Sequence, residues 1–159
     1  MSEQPEQNQP QFTIRKLYLK DLSFESPQAP NVFQQTTTPQ IDINLSTDSS
    51  RLDDSSFEVV IKITISANGD DKPLFVVELE QAGVFQVEGV EDEQLRFALG
   101  VTCPNILFPY ARQVISEMTV SGGFPPLVMS PVNFELLYRQ KLEQAGQADQ
   151  AEQTSKTTH

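Results

Sequence analysis

Two pairs of adjacent carboxylates are the side chains in this sequence best placed for shared acid–base chemistry: Asp53 with Asp54, and Asp70 with Asp71. Two carboxyl groups in one cleft can serve as acid and base. Both pairs lie among residues typical of turns, where an acidic side chain is usually solvated. We therefore interpret them as turn residues, and an enzyme that uses paired carboxylates has little support.

Nucleophilic and metal chemistry lack their usual residues. The one histidine, His159, is the last residue, where an imidazole is not held against a nucleophile as catalytic triads require. The one cysteine, Cys103, excludes an internal disulfide and a cysteine-type zinc site. Gly122-Gly123 lacks the strand–loop–helix spacing of a phosphate-binding loop. We expect no catalytic residue, metal or cofactor, and interpret the chain as a binding or structural protein, not an enzyme.

The charge of the chain limits the classes of partner. Its 22 acidic residues against 11 Lys and Arg give a formal net charge of −11. Nucleic-acid binding needs clustered basic residues, and an anionic lipid surface would repel the chain. No apolar run is long enough for membrane insertion, and the first residues do not resemble a signal peptide. We expect a cytoplasmic protein with basic or unfolded polypeptide partners.

Four segments have the period of two that is typical of β-strands. They are residues 12–24, 40–46, 57–67 and 74–85. Alternation in the first breaks near Arg15-Lys16, which predicts a β-bulge. No helical pattern separates the four, so an antiparallel sheet follows. The polar ends predict disordered tails at 1–11 and 146–159, with one domain over 12–145.

Helical spacing begins only after the strands. Acidic residues open a short helix at 91–101, which we expect Pro104 to end. A second helix is predicted after Pro109 with Gly122 as its stop, and a third after a cap at Asn133. The order predicts the α+β class: a four-stranded antiparallel sheet, Greek-key-like, with two main helices packed on one face.

Two short apolar segments have two possible interpretations. Residues 24–33 are a proline-rich link, and residues 103–110 carry apolar side chains beside Pro104 and Pro109. Both compositions predict irregular structure, yet both segments carry several large apolar side chains. Core packing is the more common outcome for such residues, and a peptide-binding groove is the alternative. Two interpretations also exist for the acidic residues on strands one and four, among them Asp21, Glu25, Glu78 and Glu80. They form either a solvated sheet surface or a docking face for a basic partner.

Three strings resemble the SecB family of bacterial protein-export chaperones: KDLSFESPQAPNVF at 20–33, CPNILFPYAR at 103–112 and SPVNF at 130–134. The resemblance covers about residues 12 to 145. It implies a homotetramer, a dimer of dimers, with the long helices between dimers. It also implies an ATP-independent, cofactor-free chaperone that holds newly synthesised precursor proteins unfolded and delivers them to the SecA translocation ATPase.

The resemblance also implies three sets of residues. A client-peptide groove joins the crossover loop to the last helix through Phe24, Pro30, Val32, Phe33, Phe134, Leu137, Tyr138 and Leu142. A SecA-docking face consists of Asp21, Glu25, Val76 and Glu78. Assembly of the tetramer is linked to Val77, Leu79 and Gln81. The competing hypothesis is an adaptor whose acidic sheet binds one basic partner and which has no client groove.

Overall fold

The computed structural model describes residues 9–34 and 38–156. Its four strands are all antiparallel and lie in the order β1-β4-β3-β2, which is a Greek-key arrangement. Their bounds are β1 Gln11–Glu25, β2 Gln40–Arg51, β3 Ser56–Gly69 and β4 Lys72–Glu88. The predicted α+β class is confirmed. The tail predicted at 1–11 lies mostly outside the described residues. Its last residue, Gln11, is the first residue of β1.

The central strands bury one face and leave the other partly exposed. In β3 the side chains of Val59, Ile61, Ile63 and Ile65 are fully buried, while those between them face the opposite side. A two-residue turn joins β3 to β4, with Asp70 and Asp71 at φ 50° and 63°. Such positive φ values match the right-handed twist of hairpin strands. The alternation of apolar and polar side chains along the strands therefore determines the face of the sheet on which helices pack.

Strand β1 contains two irregularities, not one. The predicted bulge near Arg15-Lys16 is confirmed as a register shift between Ile14 and Lys16 against β4. A second shift, between Leu19 and Asp21, was not predicted and makes Lys20 an extra residue. Each extra residue keeps the apolar side chains of β1 on the helix side of the sheet.

The helical half of the chain differs from the sequence prediction. Helix α1, Asp92–Phe97, continues through a π-helical turn, Ala98–Thr102, into α2, Cys103–Ser121. Pro104 does not end a helix, because it lies in the first turn of α2, where a missing N–H costs nothing. The prediction of irregular structure at 103–110 was therefore wrong. Pro109 lies inside α2.

Helix α2 covers the sheet and supplies the centre of the core. Leu107, Ala111 and Ile115 are fully buried against β3 and β4, consistent with the predicted helical spacing. The helix ends at Ser121, and the Gly122 N–H donates to the Met118 carbonyl, as predicted for its stop. Burial of each large aliphatic side chain contributes about 1.5–3 kcal/mol, so this row of side chains fixes α2 on the sheet.

The last helix, α3, runs from Phe134 to Lys156. Asn133 caps it as predicted, since its side-chain oxygen accepts the Leu136 N–H at 3.0 Å. Only its first turns pack, mainly against the π-helical turn. The helix continues past the predicted domain boundary at residue 145, and side chains 146–152 are exposed.

Candidate functional site

The sheet surface opposite the helices carries carboxylates on adjacent strands. Asp21 of β1 lies directly opposite Glu80 of β4, and Glu25 lies opposite Val76. Glu78 is on the same surface, and Asp21, Glu25 and Glu78 are exposed. None of these four carboxylates is in an ion pair with a residue that the structure describes. The residues predicted as a docking face therefore lie on one surface, which we call the acidic face, and Lys62 of β3 lies opposite Glu80 at its border.

A polar cluster borders the acidic face. The Lys20 amine donates to Glu58 at 2.8 Å, and the Tyr18 hydroxyl donates to the same carboxylate. These two hydrogen bonds lower the pKa of Glu58, and the bond from Lys20 has the larger effect. Desolvation and the contact with Glu58 raise the pKa of Tyr18 to about 12. The Lys20 amine is thus hydrogen-bonded to Glu58, and its charge also interacts with Glu80 at longer range.

Aromatic rings from β1, β4, the β1–β2 crossover and the α2–α3 connection gather at the C-terminal end of α2, in what we call the loop cluster. Phe24 contacts Phe75 and Phe124 at ring-centroid distances of 5.8 and 6.5 Å, and Phe33 contacts Phe124 at 5.4 Å. Phe33 is 52% exposed, whereas Val32 is buried. Pro30, which follows a cis peptide bond, is exposed beside them. The loop cluster is therefore half core and half open apolar surface.

A second aromatic group, the helix cluster, lies where α3 meets the π-helical turn. The buried ring of Phe134 contacts Phe108 at 5.8 Å, and Tyr138 contacts Phe97 at 5.9 Å. Leu137 and Leu142 remain substantially exposed. An open pocket of about 390 Å³ lies between these side chains and β2, whose residues 45–49 form its opposite wall. This pocket is large enough to hold one or two apolar side chains of a bound peptide.

The predicted groove residues fall into these two clusters, which lie at opposite ends of α2. The Tyr138 ring packs on Gly100, just before the helix, and the Phe24 ring packs on Gly122, just after it. At a rise of about 1.5 Å per residue, this places the clusters roughly 30 Å apart along the helix axis. The structure brings together the members of each cluster, and the length of α2 separates the described side chains of one cluster from those of the other.

Several side chains of the clusters were missed by sequence reasoning. Phe75 lies on β4, Phe97 on α1 and Phe124 in the connection after α2, each far along the chain from its ring partners. Gly100 and Gly122 allow the close approach, since a Cβ at Gly122 would overlap the Phe24 ring. In the sequence, the signal for such a contact was the pair Gly122-Gly123 directly before Phe124, an aromatic residue that had been given no role.

The residues linked to assembly are buried within the chain itself. Val77 and Leu79 are almost fully covered beneath α2, and Gln81 is 4% exposed. The Gln81 side-chain amide donates to the Tyr18 carbonyl at 3.1 Å. Any influence of these three positions on assembly must therefore be transmitted through β4 and β1.

Residues considered for catalysis have structural roles instead. Asp53 accepts the backbone N–H groups of Ser55 and Ser56, which lowers its pKa and closes the β2–β3 turn. Burial raises the pKa of the Cys103 thiol to about 12. Among residues 9–34 and 38–156, no group of His, Cys, Asp and Glu side chains is arranged to hold a metal ion. Over the same described ranges, no helix has the length and apolar character needed to cross a membrane.

The chain matches the family described as preprotein translocase subunit SecB over residues 5–145. A protein-export protein SecB from Hahella chejuensis is 48% identical, over 95% of this chain and 99% of that protein. Another from Methylobacillus flagellatus is 46% identical, over 97% and 95%.

A solved structure shares the fold. It is a SecB-like chaperone from Mycobacterium tuberculosis in complex with a peptide from the HigA1 antitoxin, with a TM-score of 0.64 and 20% identity. The superposition covers 76% of this chain and 90% of that chain. At this identity the likeness concerns the fold alone.

Proposed function

The chain belongs to the SecB family of protein-export proteins, and we propose that it is an ATP-independent chaperone. In this proposal it holds newly synthesised precursor proteins unfolded in the cytoplasm and delivers them to SecA for export. It acts by binding and release, without catalysis or a cofactor. The observation that carries the proposal is the pair of half-open aromatic clusters on the side of the sheet opposite the acidic face.

The two aromatic clusters are suited to unfolded clients. Phe33 in the loop cluster and Leu142 in the helix cluster are each about half exposed. Apolar surfaces of this kind bind many sequences because they read no specific polar pattern. Folded proteins bury the side chains that would fill such surfaces, so selectivity for unfolded chains follows. Each contact is weak, and several contacts along one client strengthen one another through effective concentration.

The acidic face is proposed as the SecA-docking surface. The carboxylates of Glu25 and Glu78 flank Val76, which offers a small apolar centre, and Asp21 lies further along β1, opposite Glu80. Complementary charge accelerates association with a basic partner and fixes its orientation. Because this face lies opposite the aromatic clusters, SecA and a client would bind at the same time without competing.

A homotetramer, as a dimer of dimers, completes the proposal. Strand β1 is an edge strand, and its Phe12, Ile14 and Leu19 side chains are about two-fifths exposed on the helix side. Tyr110 and Val120 are similarly exposed on α2. A second and a third copy of the chain would cover these side chains. Four copies would also multiply the clusters available to one client.

Client holding is tested by the refolding of a slowly folding precursor. We expect stoichiometric tetramer to delay refolding, and Phe33→Ser to weaken the delay several-fold because it removes the largest open ring of the loop cluster. Val128→Ser is the matched control, since Val128 is 71% exposed and outside both clusters. If the unaltered protein causes no delay, the chaperone proposal is wrong, and the adaptor hypothesis replaces it.

Docking is tested separately by charge reversal. Asp21→Lys and Glu78→Lys should weaken SecA binding and leave the refolding delay unchanged. Asp54→Lys makes the same charge change in the β2–β3 turn, outside the acidic face, and should preserve both activities. Equal loss of SecA binding in all three variants would show that only net charge matters. Equal loss of client holding and SecA binding would show that the acidic face is not a separate surface.

A further inference from the structure

Lys20 is the extra residue of the second bulge in β1, between Leu19 and Asp21. A bulge leaves its extra residue outside the pairing of the two strands and re-aims the side chain. The amine of Lys20 donates to Glu58 on β3 at 2.8 Å, although β4 lies between β1 and β3 in the sheet. The bulge therefore directs a positive charge across β4, on the sheet surface opposite the helices.

This charge lies among carboxylates of the three other strands. The hydrogen bond to Glu58 of β3 raises the pKa of Lys20. The charges of Glu80 on β4 and Asp48 on β2 act in the same direction. Glu80 lies directly opposite Asp21 and so belongs to the acidic face. The border of the acidic face thus already holds one ammonium group, which the chain itself supplies.

The contact between Lys20 and Glu58 is open to exchange. The Lys20 side chain is 45% exposed, and an ion pair at a protein surface contributes little to folding because water screens it. Glu58 has a second donor, the Tyr18 hydroxyl, which holds the carboxylate in place independently of Lys20. Departure of Lys20 would therefore leave a positioned carboxylate that can bind another cation.

We propose that Lys20 is an internal competitor for the basic groups of SecA: its ammonium group occupies Glu58 at the border of the acidic face, and a SecA cation that binds there must displace it. Each ion pair gained in this exchange replaces one that is lost, so the affinity for SecA is lower than the number of carboxylates would give. Affinity differences of this kind act mainly on the dissociation rate, so Lys20 also shortens the time that SecA remains bound. The inference rests on the proposed docking function and adds a residue that sets its strength.

A graded series of substitutions at Lys20 tests the competition. Lys20→Met removes the competing charge and should strengthen SecA binding about two- to fivefold, as expected for one exposed ion pair. Lys20→Arg keeps the charge, but a guanidinium binds a carboxylate through two parallel N–H groups and is harder to displace. We therefore expect Lys20→Arg to weaken SecA binding by a similar factor, whereas net charge alone predicts no change for this variant.

Two comparisons separate local competition from net charge. Lys62→Met removes the same charge from β3 opposite Glu80, and Lys62 is in neither ion pair between described residues, so its gain in SecA affinity should be smaller than that of Lys20→Met. Adding Glu58→Gln to Lys20→Met should abolish the gain, because it removes the carboxylate that Lys20 had occupied. Adding Asp54→Asn, which makes the same charge change in the β2–β3 turn, should preserve it.

Tetralysine at low ionic strength repeats the series without SecA, because screening of exposed charges is weakest there. Its binding is read from the amide chemical shifts of Glu58 and Glu80. We expect Lys20→Met to bind tetralysine most tightly, the unaltered protein less tightly and Lys20→Arg least tightly.

The outcomes separate the two proposals. Equal tetralysine affinities in the three proteins overturn the role of Lys20, whatever happens to SecA binding. The expected order for tetralysine, with no such order for SecA, confirms that Lys20 holds this position against other cations and overturns SecA docking on the acidic face. If Glu58→Gln fails to fold, the Lys20 series decides, since it leaves Glu58 and Tyr18 in place. Equal gains from Lys62→Met and Lys20→Met, with no effect of Lys20→Arg, refute the proposal.

Discussion

Glu58 shares its carboxylate between Lys20 and Tyr18, and the group makes stability depend on pH in two windows. The folded-state pKa of Glu58 is lowered, so its contribution is present above the unfolded-state pKa and is lost as pH falls through the folded-state value. The folded-state pKa of Tyr18 is raised to about 12, so its contribution is present below the unfolded-state value of 10.0. It is lost as pH rises toward 12.

We predict that Glu58→Gln removes the acidic window and narrows the alkaline window in urea unfolding measured against pH. It should also lower the pKa of Tyr18 part of the way toward 10.0, since desolvation, the larger cause, remains. Phenolate absorbance, with Tyr18→Phe as the reference that removes the signal, measures this pKa. A Tyr18 pKa unchanged in Glu58→Gln would contradict the hydrogen bond between them.

Thr119 and Ser116 hold the proline-rich connection between α2 and α3. The buried Thr119 hydroxyl accepts the Leu127 N–H at 3.0 Å and donates to the Ser116 carbonyl. The Ser116 hydroxyl donates to the Leu127 carbonyl at 2.8 Å. Leu127 is thus bound at both its backbone groups by one turn of α2.

We predict that Thr119→Val lowers the free energy of unfolding by about 1–3 kcal/mol, because the Leu127 N–H loses its acceptor at nearly constant side-chain volume. Thr119→Ser keeps the hydroxyl and should lose less. Urea unfolding followed by circular dichroism measures both variants, and a loss in Thr119→Val no larger than that in Thr119→Ser would contradict the role of the hydroxyl.

At the scale of elements, the strands could be predicted and parts of the helices could not. Alternation in β3 is uninterrupted, so its buried face followed directly from Val59 to Ile65. Residues 103–110 were mistaken for irregular structure because two prolines bound them, although Pro104 lies in the first turn, where proline is tolerated. The second bulge was missed because its evidence is the pairing with β4, which no local pattern contains.

In the candidate site too, one part could be predicted from the sequence and the other could not. Placement of Asp21, Glu25 and Glu78 on one surface followed from side-chain parity and the pairing of β1 with β4. The two aromatic clusters did not follow, because each is built from rings far apart in the chain. Their separation depends on α2 being one helix from Cys103 to Ser121, which the prolines concealed.

Helix α3 is attached at its first turns, and Gly100 is central to the attachment. A Cβ at this position would lie 2.6 Å from the Tyr138 ring. We predict that Gly100→Ala destabilises the fold by about 1–3 kcal/mol and displaces the start of α3. Urea unfolding measures the first effect, and altered Tyr138 ring resonances report the second.

Gly146 provides the matched control on the same helix. A Cβ at this position would have no neighbouring atom within 4 Å, so alanine there meets no obstacle. We expect Gly146→Ala to leave global unfolding nearly unchanged and to raise helical circular dichroism, since alanine favours an exposed helix by about 1 kcal/mol over glycine. No gain in helicity would contradict a helix that continues past residue 145.

At the scale of the whole molecule, we predict the mass of the assembly in solution. We expect light scattering at micromolar concentration to give about four times the 17.8 kDa chain mass, because the proposed tetramer would cover the exposed apolar side chains on β1 and α2. Phe12→Ser should shift the distribution toward smaller species, whereas Val128→Ser should not. A monomeric mass for the unaltered protein would refute the tetramer.

The distance between the aromatic clusters sets a rule for the sequences of clients. A separation of roughly 30 Å corresponds to about nine residues of extended chain. A precursor that fills both clusters of one chain would therefore carry two apolar segments with that spacing, whatever residues lie between. Recognition would then follow a length, as with a ruler, and inserting flexible residues between the two segments of a client would tune its retention without altering either segment.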